Sequence, residues 1–198
     1  MTAREIWADY DDEGIVVYQA FKPSIAAAAV RAQTFPKGQG FNRARMTWIK
    51  PSFGWMLHRS DYARKRRMQA ILRIRLRRAG LLELLAQAIS TSFEPSVHAD
   101  EETWRRALDA SEVRYQWDPD RDLETRPLAR RALQLGIRGD AVQRYVDDWI
   151  LGIEERTELA HQLHDAIQRR RPLPAGPLER PLPVSPAIRH ALAMDVDT

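Results

Sequence analysis

Residues 68–76, Met-Gln-Ala-Ile-Leu-Arg-Ile-Arg-Leu (MQAILRIRL), change character at every step from Leu72 onward. In an extended chain, Ala70, Leu72, Ile74 and Leu76 share one face, and Arg73, Arg75 and Arg77 share the other. A helix would mix the two sets, so this stretch is read as a strand with one face buried. A second strand lies upstream at Gly14–Phe21 (GIVVYQAF), rich in β-branched and aromatic residues. It places Ile15, Val17, Gln19 and Phe21 on one side and Val16, Tyr18 and Ala20 on the other. Between these two strands, Pro23-Ser24 is expected to open a helix over residues 25–33, with Ser24 as its N-cap. Residues 36–40 read as a loop and residues 45–50 (RMTWIK) as a third strand. Pro51-Ser52 ends that strand and starts a short amphipathic helix.

Downstream, helices are expected over residues 80–90 and near residues 101–108. Strands are expected at 112–117 and 131–137, joined by a charged loop over 118–128 that carries WDPDRD. Gly139-Asp140 then starts a long helix whose apolar positions Val142, Tyr145, Val146, Trp149, Ile150 and Ile153 recur at spacings of three and four. Another helix spans 157–168. Strands and helices interleave irregularly, which points to an α+β fold with a mixed or antiparallel sheet flanked by helices. Residues 1–171 form the single domain in this reading. Residues 172–198, beginning PLPAGPLERPLPVSP, form a Pro-rich tail extended along the surface.

The 198 residues are 44% hydrophobic and include six Trp, enough for one domain with a real core. No cysteine is present, which excludes disulfide frameworks, thiol catalysis, iron–sulfur clusters and Cys-ligated zinc. No apolar run approaches the ~18 residues of a membrane span. The acidic start, MTAREIWADYDDEG, has no apolar segment of the signal-peptide kind. A cytoplasmic protein without a membrane partner is expected. The net charge is +4. The basic residues are mostly Arg, with Lys only at 22, 37, 50 and 65. Nine of them fall between Arg59 and Arg78, opposed only by Asp61, a density that suits an anionic partner such as DNA or RNA.

The sequence contains no GxGxxG, no GxxxxGK[ST] and no GxSxG. His161 and His164 lie one helical turn apart on what reads as a solvated surface, so no metal is expected. Three places stand out. Gln19 is polar on an apolar strand face, either bonded within the core or aimed at a ligand; an unpaired buried amide costs about 1–3 kcal/mol. Residues 46–60 (MTWIKPSFGWMLHRS) gather Trp48, Lys50, Ser52, Trp55 and Arg59. Ser52 at a helix start brings backbone N–H groups and a positive dipole end that suit phosphate, and the Trp rings suit a base. The alternative is that the Trp residues are core and Ser52 only a cap. Residues 115–122 (YQWDPDRD), followed by Arg126, Arg130 and Arg131, put carboxylates and arginines beside a strand start; they serve either a site or a solvated loop.

VYQAF, RMTWIKPSFGWMLHRS, QWDPDRD, RRALQLG and RYVDDWI together resemble the uncharacterised family catalogued as domain of unknown function 4291, over roughly residues 6–167. More distantly, the order of elements resembles small ADP-ribosyltransferase-like domains. That resemblance implies a split β-sheet clamping NAD+. It places Gln19 at the first-strand His/Arg position, beside Tyr18, and Ser52 or Thr47 at the Ser/Thr position after the second strand. Arg130 or Arg131 falls near the catalytic Glu. Gln for His/Arg and Arg for Glu are departures from the usual transferase pattern. They are more similar to the RNA 2′-phosphotransferase branch, and leave Asp118 or Glu124 to supply a carboxylate.

The resemblance implies an NAD+-binding transferase that modifies nucleic acid or a phosphorylated acceptor. Gln19, Ser52, Asp118 and Arg130 are its catalytic candidates. Tyr18, Thr47, Trp48, Lys50, Trp55, Arg59, Trp117 and Arg131 are its cofactor-binding candidates. Two alternatives stand beside it. One is a non-catalytic nucleic-acid-binding module using the Arg59–Arg78 region. The other is an interaction protein whose Pro-rich tail docks on a partner.

Overall fold

Gly14–Phe21 and Ala70–Arg77 pair antiparallel along their whole length, Gly14 opposite Arg77 and Phe21 opposite Ala70. They are the centre of the computed structural model, which describes residues 3–194. In chain order the strands are β1 Ala3–Arg4, β2 Trp7–Ala8, β3 Gly14–Phe21, β4 Thr47–Ile49, β5 Ala70–Arg77, β6 Ile89–Ser90, β7 Val113–Arg121, β8 Pro127–Ile137, β9 Ile150–Glu155 and β10 Arg180–Pro181. The helices are α1 Pro23–Ala32, α2 Phe53–Ser60, α3 Arg78–Ala86, α4 Glu101–Ala110, α5 Asp140–Arg144, α6 Thr157–Gln168 and α7 Pro186–Ala191.

One sheet has the order β3-β5-β9, all antiparallel. A second has the order β1-β8-β7-β6, and β4 also pairs with β8. It is mixed, because β1 runs parallel to β8 and β6 parallel to β7. The two sheets meet at one backbone bridge, where Tyr18 donates to the Lys50 carbonyl at 2.7 Å. The result is a single-domain α+β fold with a curled, mixed sheet. No helix among the described residues is long and apolar enough to cross a membrane.

Both faces of β3 are buried, which explains its nearly unbroken apolar run. Ile15 and Val17 join Leu72, Ile74 and Leu76 of β5 in the main core, with Leu133, Leu135 and Ile137 of β8. Val16 and Tyr18 join Ile71 on the opposite face, covered by Phe53, Met56 and Leu57 of α2 and by Ala160 and Leu163 of α6. The alternation expected of β5 holds. Its arginines, however, are engaged: Arg73 pairs with Asp9 and Glu154, and Arg75 with Asp11 and Glu13. Arg77 donates to the Asp148 carbonyl.

Several expected elements are corrected. The long helix from residue 140 ends after α5 and one π-helical turn, Tyr145–Trp149; Ile150 and Ile153 belong to β9. β9 completes the ladder on the free edge of β5, and the pairing skips Leu151, so Ile150 lies opposite Leu76 and Gly152 opposite Arg75. The skipped residue reproduces a helix-like spacing of three inside a strand. The expected loop over 118–128 is mostly sheet: β7 continues to Arg121, and only residues 122–126 turn. Asp-Pro is tolerated there because the register shifts between Pro119 and Arg121. Helix α1 begins at Pro23 with Lys22 as N-cap, so Ser24 caps nothing. The Pro-rich segment expected to lie extended on the surface contains β10, paired with β2, and helix α7. Within it Leu182, Ile188 and Leu192 are buried in the main core. Apolar residues spaced between the prolines make that return possible.

Candidate functional site

Two elements bring most of the chemistry together. Helix α2 follows directly from β4, and Ser52 caps it by accepting from the Trp55 amide at 3.1 Å. Opposite it, β7 presents Gln116 and Asp118 on one face, two residues apart as a pleat requires. The helix can approach the strand because position 54 is Gly: a Cβ there would run into the Arg121 carbonyl. Between them opens a cleft of about 580 Å³, lined by Trp48, Lys50, Trp55, His58, Arg59 and Met68 on one side and by Gln116, Asp118, Arg121 and Gln134 on the other.

Lys50 is buried. Its ammonium donates to the Trp48 carbonyl at 3.2 Å and lies 5.1 Å from the centre of the Trp55 ring. Burial, with the neighbouring Arg59 charge, brings its pKa down to about 7. Asp118 accepts from the Gln134 amide at 2.6 Å. Burial raises its pKa, against the pull of Gln134, Lys50 and Arg131. Burial and the charges of Arg121, Arg59 and Lys65 lower the pKa of His58. The cleft therefore holds two guanidinium charges, an amine and an imidazole poised to be neutral near pH 7, one carboxyl group and two indole rings. Arg121 donates to the Thr125 carbonyl at 3.3 Å, but its Nε is buried without a protein partner among the described residues.

Of the expected site residues, Trp48, Lys50, Trp55, Arg59 and Asp118 converge here. The others lie elsewhere. Gln19 is buried in a closed set of bonds: it donates to Thr47 Oγ1 at 2.7 Å and the Trp48 carbonyl at 3.1 Å, and accepts from the Tyr145 hydroxyl at 2.8 Å. Thr47 is thus a partner of Gln19 rather than part of the cleft lining. Trp117 donates its indole N–H to the Leu192 carbonyl at 2.8 Å. Arg131 lies on β8, opposite Arg4. Tyr18 lines a separate cavity of about 190 Å³ with Asp9, Arg73 and Arg156, and its hydroxyl has no protein partner there among the described residues.

Ser52 and Arg130 belong to a network behind α2. Ser52 donates to Asp120 at 2.6 Å, and Arg130 donates to the other Asp120 oxygen at 2.7 Å while stacking 4.0 Å from the Trp7 ring centre. The expectation that the start of α2 awaits a phosphate meets a local carboxylate instead: Glu179 accepts from the Phe53 amide at 2.6 Å. Burial pushes the Glu179 carboxyl up to about 8.

Sequence reasoning passed over His58, Gln116, Arg121 and Gln134. A period-two reading carried through WDPDRD would have aligned Gln116 with Asp118, and Gln134 lies directly opposite Gln116 across the ladder. The basic run begins with an unusual turn. Asp61, Tyr62 and Ala63 all adopt left-handed backbone, with φ of 49°, 52° and 63°, held by the Tyr62 hydroxyl on the Leu123 carbonyl at 3.0 Å. Arg64, Lys65, Arg66 and Arg67 follow that turn and are exposed; Arg66 and Arg67 line a separate hollow with Lys22, Pro23 and Ser24 at the start of α1.

A family model described as "Domain of unknown function (DUF4291)" matches residues 5–180. No curated protein matches the chain.

Proposed function

The chain belongs to the DUF4291 family, and from the cleft it carries we propose that it binds NAD+ or a related nucleotide and transfers the ADP-ribosyl unit to an acceptor, on an ADP-ribosyltransferase-like fold. One observation carries this reading: two indole rings, two arginines and a carboxyl group surround a single cleft of about 580 Å³, within the size range of small-molecule sites. Arg59 and Arg121 hold the phosphates by charge-assisted bonds. Trp48 and Trp55 offer faces to the rings. Asp118 supports the positive charge that develops on the ribose as its bond to nicotinamide breaks. That bond's electron pair leaves with neutral nicotinamide, an acceptor lone pair forms the new bond to the same carbon, and the acceptor's proton passes to a base. In this reading Asp118, rather than Arg130, does this work, since Asp118 lines the cleft and Arg130 is paired with Asp120.

The acceptor favoured by the surface is a nucleic acid. Arg64 to Arg67 stand exposed a few residues on from Arg59 of the cleft, whereas the strand arginines Arg73 and Arg75 are already ion-paired. Calorimetric titration with NAD+, ADP-ribose and ATP tests the nucleotide reading. Binding of NAD+ that weakens at least tenfold in Arg59→Ala, and a turnover that falls about 100-fold or more in Asp118→Asn with affinity retained, are the expected results. No heat with any of the three nucleotides overturns it.

A further inference from the structure

Lys50 differs in kind from the arginines around it. It is buried, and among the described residues its amine touches a backbone carbonyl and an aromatic face but no carboxylate in an ion pair. The charged and titratable groups that face it are Arg59 and His58 from α2, and Arg121 and Asp118 from β7. An ammonium so placed loses its hydration and feels the permanent positive charge of Arg59, which outweighs the opposing pull of Asp118. Both effects favour the free amine, and a desolvated lysine beside another cation is a recognised way to make a nitrogen nucleophile.

Resting on the reading of this cleft as a site for ribose phosphates, we propose that Lys50 is a nucleophile that condenses with the aldehyde of a ring-opened, phosphorylated ribose. The Lys50 nitrogen lone pair attacks the aldehyde carbon. The nitrogen gives up one proton and the carbonyl oxygen takes one up, giving a neutral carbinolamine. The nitrogen then loses its remaining proton, the carbon loses the oxygen as water, and an imine is left; amine plus aldehyde equals imine plus water. Asp118, whose carboxyl is itself shifted toward the protonated form, is the group across the cleft that carries these protons. Arg59 and Arg121 supply the phosphate grip that selects a phosphorylated sugar over a free one. Burial brings the pKa of the amine down to about 7, so an appreciable share of it is unprotonated at neutral pH.

The test is reductive trapping. Full-length protein is incubated with ribose 5-phosphate, or separately with ADP-ribose, and sodium cyanoborohydride, and its peptides are mapped by mass spectrometry. A near-stoichiometric adduct on the Lys50 peptide is expected, with Lys22, Lys37 and Lys65 left largely unmodified. Trapping at Lys50 should rise far less between pH 7 and 9 than the about 100-fold of an ordinary lysine. Free ribose should trap at least tenfold more slowly than ribose 5-phosphate. Lys50→Arg keeps the charge and should abolish the adduct; if that variant fails to fold, the wild-type peptide map still decides. An even spread over the four lysines, or no adduct at Lys50, overturns the proposal. NAD+ binding with Lys50 unlabelled defeats this inference alone. Lys50 labelling without NAD+ binding defeats the NAD+ reading alone.

Discussion

Gln19 makes three hydrogen bonds where water does not reach, joining β3 to β4 and to the π-helical turn after α5. Its role follows from that count: removing it leaves the Tyr145 hydroxyl and Thr47 without their partner. Gln19→Leu should lower stability by about 1–3 kcal/mol and leave nucleotide affinity in the cleft within twofold. Denaturant unfolding beside calorimetry reads both; a loss of affinity in a variant of undiminished stability would return Gln19 to the site. Ile74 illustrates a simpler case. It is fully buried on the main-core face of β5, the central strand of its sheet, and Ile74→Ala should cost about 2–5 kcal/mol in a urea melt. In both cases the residue type was legible from the chain. The partners of Gln19 were not, because Tyr145 is 126 positions away.

At the scale of elements, helix α2 carries the argument. Its N-terminus is closed by a carboxyl group from the distant C-terminal segment, Glu179, which accepts from the Phe53 amide. Burial holds the Glu179 pKa at about 8, above its ordinary value of 4.5. The folded protein therefore keeps a proton that the unfolded chain releases. Stability from this group is fully present below pH 4.5 and is lost as pH rises through about 8. Glu179→Gln retains an acceptor oxygen and removes the titration. Its unfolding midpoint should exceed that of the wild type at pH 8.5 and converge with it near pH 4.5. Equal midpoints at pH 8.5 would show that Glu179 ionises without cost. Gly54 on the same helix is set by the Arg121 carbonyl, so Gly54→Ala must push α2 off β7 and widen the cleft. A fall in both melting temperature and nucleotide affinity is expected. Elements with a strong local pattern, such as the apolar run of β3, the alternation of β5 and the helical spacing of α6, were readable. Strand β9 was not, since its skipped residue mimics helical spacing.

For the whole molecule, the C-terminal segment decides whether the fold closes. Leu182, Ile188 and Leu192 sit in the main core, and the Leu192 carbonyl accepts from Trp117. Ending the chain after Arg171 should therefore expose core residues of β7 and β8 and remove the Glu179 cap. The expected product is insoluble or melts at least 10 °C lower, seen by solubility and a thermal scan; an unchanged melting temperature would make the segment an ornament. A surface built from paired strand arginines and one exposed basic turn also predicts where nucleic acid would bind. Replacing Arg64, Arg66 and Arg67 together with Gln should flatten the salt dependence of any DNA or RNA affinity, while replacing Arg75 should leave its slope nearly unchanged.

What the sequence by itself determined is local and periodic. The alternation at residues 70–77, the apolar run at 14–21 and the cap at Ser52 each depend on neighbours within a few residues, so a single-domain α+β chain was legible without coordinates. The gathering of Trp48, Lys50, Trp55 and Arg59 was legible too, because a strand runs straight into a helix there. Tertiary structure alone decided which polar groups face a cleft and which are spent on one another. Asp118 and Asp120 are two residues apart in one strand, yet one lines the cleft and the other is locked to Ser52 and Arg130. The reason is physical: desolvation and charge pairing depend on groups far away in sequence. The chemistry of a side chain such as Lys50 is therefore set only when the sheets curl together and take water from it.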